Sequence, residues 1–319
     1  MNRITILTII LALFGGMQFF VSPLVGPLFI GAGVVIIAAA VVVMWRGEIP
    51  ATLLPASLIL LAMSLSSMAN ADIWTIALSR KFIFAVAMGL MIITTQMDDI
   101  WPALYRAGLI WPPIWLAATW LGWWDNRNIV AVWSMVFIVV GFYGRRWWYL
   151  APHLLMLLWL GSRGAALGGL AAMLVILWPG LKYTATLVRM GGVAGLVGLL
   201  VWWRPDTALY RLHYWLSGWQ VFINNIWLGV GPGGISARDL ITEPGGGYQV
   251  HAHNLVVTTG AELGLVGLAL CGLAAWLWWR SRPGLARWQW AIIAGLLVHS
   301  LVDQPLWWPG PLLFFAMIL

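Results

Sequence analysis

Charge is what this sequence has least of. Only 8% of its 319 residues are charged and 62% are hydrophobic, where a soluble domain carries about 25% charged residues. That balance excludes a soluble protein of ordinary build. It leaves no room for a separate soluble domain of roughly 100–150 residues. Cysteine is nearly absent as well. The single one, Cys271, lies in an apolar run, forms no intrachain disulfide and carries no information on redox compartment. Acidic residues number ten against seventeen basic ones, for a net charge of +7. The basic residues are scattered singly between apolar runs, so they read as topology determinants and site residues and not as a nucleic-acid surface. No internal repeat and no low-complexity linker stands out. The amino terminus, Met1 to Phe20 with Arg3 ahead of an apolar run, resembles a signal sequence. It lacks a small-x-small cleavage site before Pro23, so it is kept as a first span.

Apolar runs fill most of the chain, at roughly 4–21, 24–44, 51–68, 82–97, 105–123, 129–143, 147–161, 164–179, 189–203, 254–279, 288–302 and 304–319. Several are nearer 15 residues than the ~20 a straight spanning helix needs. Tryptophan is abundant, 25 residues in all. Pairs such as Trp123-Trp124, Trp147-Trp148 and Trp202-Trp203 sit at the ends of runs, where interfacial rings belong. The expected fold is an all-α polytopic membrane protein of about twelve transmembrane helices. It forms one integral membrane domain over 1–319, with a large loop at about 204–253 inserted between spans. With the amino terminus inside, ten basic residues fall in inner loops and seven on the outer side. The 204–253 loop, the break at Ser162-Arg163 and Asp303 then share the outer face.

Within the loop, Leu212, Trp215, Trp219, Phe222, Ile223 and Ile226 recur at helical spacing, which predicts an amphipathic helix over 211–228. Such a helix is expected along the membrane surface, apolar face down, with Arg211 on its first turn opposite the apolar stripe. Gly229–Gly234 ends it, and Pro244 with Gly245–Gly247 makes a second break. Helix resumes after His253, with Asn254 as its cap. Gly229-Val-Gly231-Pro-Gly233-Gly234 satisfies the dinucleotide-binding spacing, but no strand precedes it and Pro232 interrupts it. Its glycines are read as turn formers.

Ionisable residues gathered beside lipid-facing sequence mark a working site. Histidine acts as base, acid, ligand or hydrogen-bond donor. His251 and His253, at the start of a helix, are therefore candidate general bases. Solvated loop histidines are the bland alternative. A metal site would need further ligands, and the nearest acids and imidazole, Glu243, Asp239 and His299, form no tight motif, so no metal and no cofactor is expected. Glu262 shares a helix face with Asn254 and Thr258. On a regular helix it lies ~13.5 Å from His253, which suits a bundle-holding role, paired with an arginine, better than a catalytic one. Gly260 and Gly264 form a GxxxG that permits close helix packing. Arg163, between two spans, and Arg211 present guanidinium forks suited to phosphate. Arg204, after Trp202-Trp203, is a third such arginine or only a boundary marker. His299 and Asp303, four apart, share a face at the end of a late span, where Asp303 would orient a histidine or pair with an arginine.

These residues in combination resemble the O-antigen ligase and polymerase superfamily of bacterial envelope glycosyltransferases. Ser162-Arg163-Gly164 opens a span, and Arg211 and Trp215 begin the loop helix. Asn225-Ile-Trp-Leu-Gly229-Val-Gly231-Pro-Gly233 is similar to the family's Asp-x-Pro-x-x-Gly-x-Gly stretch, with Asn225 and Trp227 replacing the usual Asp and Pro. His253-Asn254-Leu255, Ala261-Glu262-Leu263-Gly264-Leu265-Val-Gly267 and Asp303-Gln-Pro305-Leu306 follow in order. The resemblance covers about 160 to 306. It implies transfer of a glycan from undecaprenyl pyrophosphate to an acceptor hydroxyl, at the periplasmic face of the bacterial inner membrane, without nucleotide sugar or obligatory metal. The acceptor would be lipid A-core for a ligase, another glycan for a polymerase, or a pilin-like protein for an O-oligosaccharyltransferase. Besides these partners only membrane lipids are expected. His253, with His251 as second choice, would be the base. Arg163, Arg211 and Arg204 would hold the pyrophosphate, and Asn254, Glu262, Asp303 and His299 would support them. A non-enzymatic transporter is the competing class, and the gathering of polar residues on one face argues against it.

Overall fold

The computed structural model describes residues 53–94, 101–120, 127–177, 205–244, 246–281 and 284–307. Among these residues the chain is helical and has no strand, only an isolated bridge between Thr242 and Tyr248. The helices are α1 (Leu53–Ala69), α2 (Trp74–Thr94), α3 (Trp101–Trp120), α4 (Arg127–Tyr143), α5 (Trp147–Leu160), α6 (Arg163–Leu177), α7 (Pro205–Asn224), α8 (Gly234–Ala237), α9 (Leu255–Ser281) and α10 (Arg287–Ser300). Short 3-10 turns lie at Ala71–Ile73 and Pro305–Trp307.

The runs expected at 51–68, 129–143, 147–161, 164–179, 254–279 and 288–302 match α1, α4, α5, α6, α9 and α10 within a few residues. One start is corrected: the run at 82–97 is helical from Trp74, so Arg80 and Lys81 lie inside α2 and not in a loop. The expected spans 4–21, 24–44 and 189–203, and the part of 304–319 beyond Trp307, fall outside the described residues. Among those described, Leu255–Arg280 is long and apolar enough to cross a bilayer, and Leu54–Ala69, Val130–Tyr143, Trp148–Leu160 and Arg163–Leu177 are apolar but shorter. A helical membrane fold is consistent with this; a count of twelve spans goes beyond it.

The chain divides into two compact units. One holds α3 to α6 and α10. At its centre α4 is buried without interruption from Val130 to Gly141, as a helix apolar on all sides must be. α6 buries a face of small residues, Gly164, Ala165, Gly168, Gly169 and Ala172. A Cβ on Gly295 of α10 would come within 2.8 Å of the Gly168 carbonyl oxygen. The two backbones therefore meet directly, which is how helices associate where lipid removes the hydrophobic drive. α5 turns Leu155, Leu158 and Trp159 outward, the last 81% exposed, a surface suited to hydrocarbon.

The other unit holds α1, α2, α7 from Leu209 onward, α8, α9 and residues 301–307. Here α9 is broken. Gly264 sits at φ +68°, ψ −168°, so the expected close-packing glycine is a break point instead. A break within apolar surroundings strands carbonyls on one side and N–H groups on the other, and these need partners. The N–H groups of Val230 and Gly231 bond the carbonyls of Ala261 and Glu262, each at 2.9 Å. The N–H groups of Leu265 and Val266 bond the carbonyls of Ile226 and Trp227, at 2.7 and 3.2 Å. The end of α7 and the glycine loop thus cap both halves of α9. Gly229, Gly231 and Gly233 reach this arrangement at positive φ of 66°, 90° and 80°. Ser66 of α1 donates to Glu262 O at 2.7 Å, and Asn70, just past the end of α1, donates to Gly229 O at 3.1 Å. Arg238 ties the far side of the loop, donating to Val230 O at 3.0 Å and to the Asp72 carboxylate at 2.6 Å.

The amphipathic helix exists as α7, but it begins at Pro205 and ends at Asn224. Tyr214, Gly218 and Phe222 face the core with Ile235, Ile241, Ala252 and Ala261. Of the expected stripe, Leu212, Trp219, Ile223 and Ile226 are exposed, consistent with an apolar face laid on a membrane, while Phe222 turns inward. Arg211, one turn before Tyr214, is drawn to the protein side.

Candidate active site

α9 starts late because Asn254 caps it: its Oδ1 accepts from the N–H groups of Val256 and Val257, at 3.0 and 3.1 Å. The same side chain donates to Leu301 O at 2.8 Å. Thr258, one turn on, donates its hydroxyl to Gln304 Oε1 at 2.8 Å and accepts the Ala252 N–H at 3.0 Å. These bonds lace residues 251–258 to 301–304. Helix α7 closes on them at Gly218, where a Cβ would fall 2.7 Å from that of Ala252.

Ahead of the cap, His253 has a left-handed backbone, φ +52°. Such a conformation is uncommon outside glycine and is retained only where the surroundings over-determine it. They do so here. The Nδ1 lies 3.0 Å from Asp303 Oδ1 and the Nε2 lies 2.9 Å from Gln249 Oε1. The ring stacks on Tyr214, centroids 5.3 Å apart, and lies 4.5 Å from the ring of His251. The His253 carbonyl accepts the Trp215 indole N–H at 3.2 Å. Asp303 is the hub. Its Oδ1 also accepts the Gln304 N–H at 2.8 Å and lies 3.8 Å from His251 Nε2. Its Oδ2 lies 3.6 Å from Arg211, whose guanidinium also donates to the Val302 carbonyl.

Burial pushes the His251 imidazole down to about 4, against the Asp303 hydrogen bond, which raises it, and with help from the charges of His253 and Arg80. At neutral pH His251 is an uncharged ring beside a carboxylate that serves its neighbour. Burial also raises the Tyr214 phenol, with the Glu243 charge acting the same way and the Gln249 hydrogen bond opposing it. His251, His253 and Asp303 offer atoms within 4.8 Å of one another. The 3.0 Å Nδ1–Oδ1 separation is that of a shared proton, and a guanidinium already faces Asp303. His253 and Asp303 are placed to share a proton.

Of the residues expected from sequence, the structure brings together His253, His251, Arg211, Asn254 and Asp303. Glu262 belongs to the same unit but holds the glycine loop: its Oε2 accepts the Gly233 N–H at 2.8 Å, and Arg80 is the cation it faces. The expected Glu262–arginine pairing is thus met by a residue inside α2. In the other unit Arg163 is the first residue of α6 and half-buried, behind Ser162, whose hydroxyl accepts the Ala165 N–H at 3.4 Å. His299 is buried against Gly164. α10 ends at Ser300, so Asp303 lies past it and shares no helical face with His299. Arg204 falls outside the described residues. Gln249, Tyr214 and Gln304 were not anticipated. Gln304 was visible as the neighbour of Asp303 in Asp-Gln-Pro, whereas nothing local distinguishes Gln249 or Tyr214.

No curated protein and no solved structure matches the chain. The O-Antigen ligase family model matches residues 129–272, just under half of the sequence. That stretch contains α4 to α8, the glycine loop, both histidines of the cluster and most of α9. Over these residues the chain is similar to an O-antigen ligase domain, which supports a place in the O-antigen ligase superfamily.

Proposed function

We propose that the protein is a metal-independent glycosyltransferase that moves a glycan from undecaprenyl pyrophosphate to a hydroxyl of lipid A-core, at the periplasmic face of the bacterial inner membrane. The observation that carries this reading is the His253 imidazole fixed between Asp303 and Gln249 beside Arg211. An acceptor hydroxyl must lose its proton as it attacks, and a histidine oriented by a carboxylate is a fit general base. The leaving group is a lipid pyrophosphate, and Arg211 supplies cationic stabilisation to it. Arg163 and Arg204 are assigned to the same pyrophosphate by family resemblance. In one displacement the acceptor oxygen bonds the anomeric carbon and the bond to the pyrophosphate oxygen breaks. The electron pair leaves with the pyrophosphate, so no enzyme nucleophile is required. Asn254 and Asp303 position the base, and Glu262 maintains the fold beneath it.

Purified protein incubated with polyprenyl-pyrophosphate glycan and chelator, with and without lipid A-core, tests the proposal. Product formed only with lipid A-core establishes the ligase. Glycan lengthening without it makes the protein a polymerase, and transfer only to a pilin-like protein makes it an O-oligosaccharyltransferase. No transfer to any of these, with glycan lipid moved across vesicles instead, would replace the enzyme with a transporter.

A further inference from the structure

In the unit of α3 to α6 and α10, one end gathers arginine and aromatic side chains. There α3, α5 and α10 begin and α4 ends. The Trp101 ring lies 5.3 Å from that of Tyr143 and 5.2 Å from that of Trp288. A Cβ on Gly144 would come within 3.3 Å of Trp101. Tyr105 stacks on the buried Tyr149, centroids 5.0 Å apart, with Trp148 at 6.5 Å. Arg146 lays its guanidinium over Tyr105, 4.3 Å from the ring centre, and donates to the Tyr105 hydroxyl at 2.9 Å. That holds the fork on an aromatic stack rooted in the core. Arg106 follows Tyr105, Arg145 precedes Arg146 and Arg287 precedes Trp288, and all three are exposed. The helices α3 to α6 and α10 contain no carboxylate to answer these charges. Asp98 and Asp99, the acids nearest in sequence, lie outside the described residues.

The turn from α4 to α5 is made with a strained residue. The Arg146 N–H bonds Gly141 O at 2.9 Å and the Arg145 N–H bonds Phe142 O at 3.1 Å. With Arg145 at φ +54°, this is the helix ending in which glycine is the usual left-handed residue. Glycine would adopt it without strain. A backbone outlier at a residue with a side chain points to a use for that side chain, and here it is a guanidinium next to the one clamped on Tyr105.

We infer that Arg145 and Arg146, flanked by Arg106 and Arg287, bind the phosphate of an anionic phospholipid in the inner leaflet. Guanidinium forks match phosphate oxygens bidentately. Tyr143 and Trp148, 42% and 63% exposed, are rings of the kind that sit at headgroup level. A lipid phosphate therefore reaches the arginines with its acyl chains already alongside the helices. A zwitterionic headgroup brings its own ammonium, which the arginines repel, so a net negative lipid is favoured. Basic clusters between spans on the cytoplasmic side are where such headgroups dock. The side follows from α5: this turn lies at its start, whereas Ser162-Arg163, placed outside by the distribution of basic residues, follows its end. The choice of leaflet rests on that orientation; the binding does not.

Native mass spectrometry of the full-length protein, released from detergent micelles carrying phosphatidylglycerol and phosphatidylcholine in equal amounts, tests the site with no glycan substrate. The wild type should retain phosphatidylglycerol in preference, and glycerol phosphate, the same charge without acyl chains, should not displace it. Arg145→Gly and Arg146→Gln should each weaken retention by about fivefold, the scale of one arginine at a lipid surface. Arg145→Gly should melt no lower than the wild type, because glycine suits the turn. Arg127→Gln, at the opposite end of α4, should retain the lipid as the wild type does. Equal retention of the two lipids, retention unchanged in Arg145→Gly and Arg146→Gln, or an equal loss in Arg127→Gln overturns the site. Displacement by glycerol phosphate makes it a site for free phosphate and overturns the lipid. In a Cys271→Ser background, Arg145→Cys should react with an impermeant maleimide in inside-out vesicles only. Reaction in right-side-out vesicles instead overturns the inner leaflet and the orientation behind the proposed function, whatever the lipid data show.

Discussion

The two units solve the same problem in opposite ways. In the unit of α3 to α6 and α10, helices run unbroken and approach through glycine and alanine. Its buried polar side chains find partners on the backbone: Ser134 bonds Val130 O one turn back, and His153 Nε2 lies 3.0 Å from Gly108 O. In the unit of α7 to α9, a helix is broken at Gly264 and the freed backbone groups are met by a glycine loop, the Ser66 hydroxyl of α1 and the turn that follows α7. The first arrangement gives rigidity at little cost in irregular backbone. The second spends regularity to bring a carboxylate, two imidazoles and a guanidinium together. Here the segments that bring these side chains within reach of one another are the loop ahead of α9 and the residues past α10.

The largest expected effect lies at His253. His253→Asn, a residue that tolerates the left-handed backbone, should lower glycan transfer by ~100-fold or more, the range for a lost general base. Gel filtration should still show a folded protein. Near-normal turnover would leave the irregular unit without its chemical purpose and the contrast with the other unit would lose its point.

Next comes a matched pair of glycines. Gly264→Ala forces a side chain onto a φ of +68° and against the Trp227 carbonyl, which costs about 1–3 kcal/mol. Gly169→Ala in α6 makes only an ordinary 3.5 Å contact with Met135 and gains helix propensity of up to about 1 kcal/mol. Thermal melts should therefore move in opposite directions, and equal losses at both sites would erase the distinction.

Arginines sharpen the comparison further. Arg211→Ala and Arg163→Ala should each raise the donor KM by about tenfold, the scale of one charge-assisted hydrogen bond. Arg238→Ala should disturb stability more than donor use, because Arg238 is spent on Asp72 and Val230. The same donor KM in all three variants would reduce the effect to general electrostatics.

The last effect concerns pH and stability, not transfer. The buried His251 titrates near 4 in the folded protein and near 6.5 when exposed. The unfolded chain therefore binds the extra proton between those values, and stability is full above about 6.5 and falls as pH drops toward 4. The loss reaches at most about 3 kcal/mol. His251→Gln should flatten this part of the stability profile, measured by denaturant unfolding in detergent. An unchanged slope would remove His251 from the account.

Much of this was legible in sequence because it depends on patterns with a fixed period. Apolar runs gave α1, α4, α5, α6, α9 and α10, and Asn254 before an apolar helix gave its cap. His251, His253, Arg211 and Asp303 stood out as ionisable residues in an apolar chain. What stayed hidden depends on meetings between distant segments. Gly264 read as a packing glycine, because nothing local says that Trp227 and Leu228 will press against it. On α7 the inward face of Tyr214, Gly218 and Phe222 was not separable from the expected membrane-facing stripe, since apolar residues encircle that helix and tertiary contacts choose among them. Gln249 is an unremarked polar residue until its two partners are known.

The capping of α9 also explains which positions of the loop are free to change. Asn225 and Trp227 replace an Asp and a Pro of the family's stretch, yet the arrangement stands. At Trp227 the contribution is a carbonyl, accepting from Val266, and every amino acid, proline included, has one. At Asn225 the carbonyl accepts the Gly229 N–H at 2.9 Å, again irrespective of the side chain. The count of residues is another matter. One residue inserted between Trp227 and Val230, or between Glu262 and Leu265, would put two of the four hydrogen bonds out of register with the other two. Spacing in these two stretches therefore bears on the four bonds more directly than the side chains at Asn225 and Trp227 do.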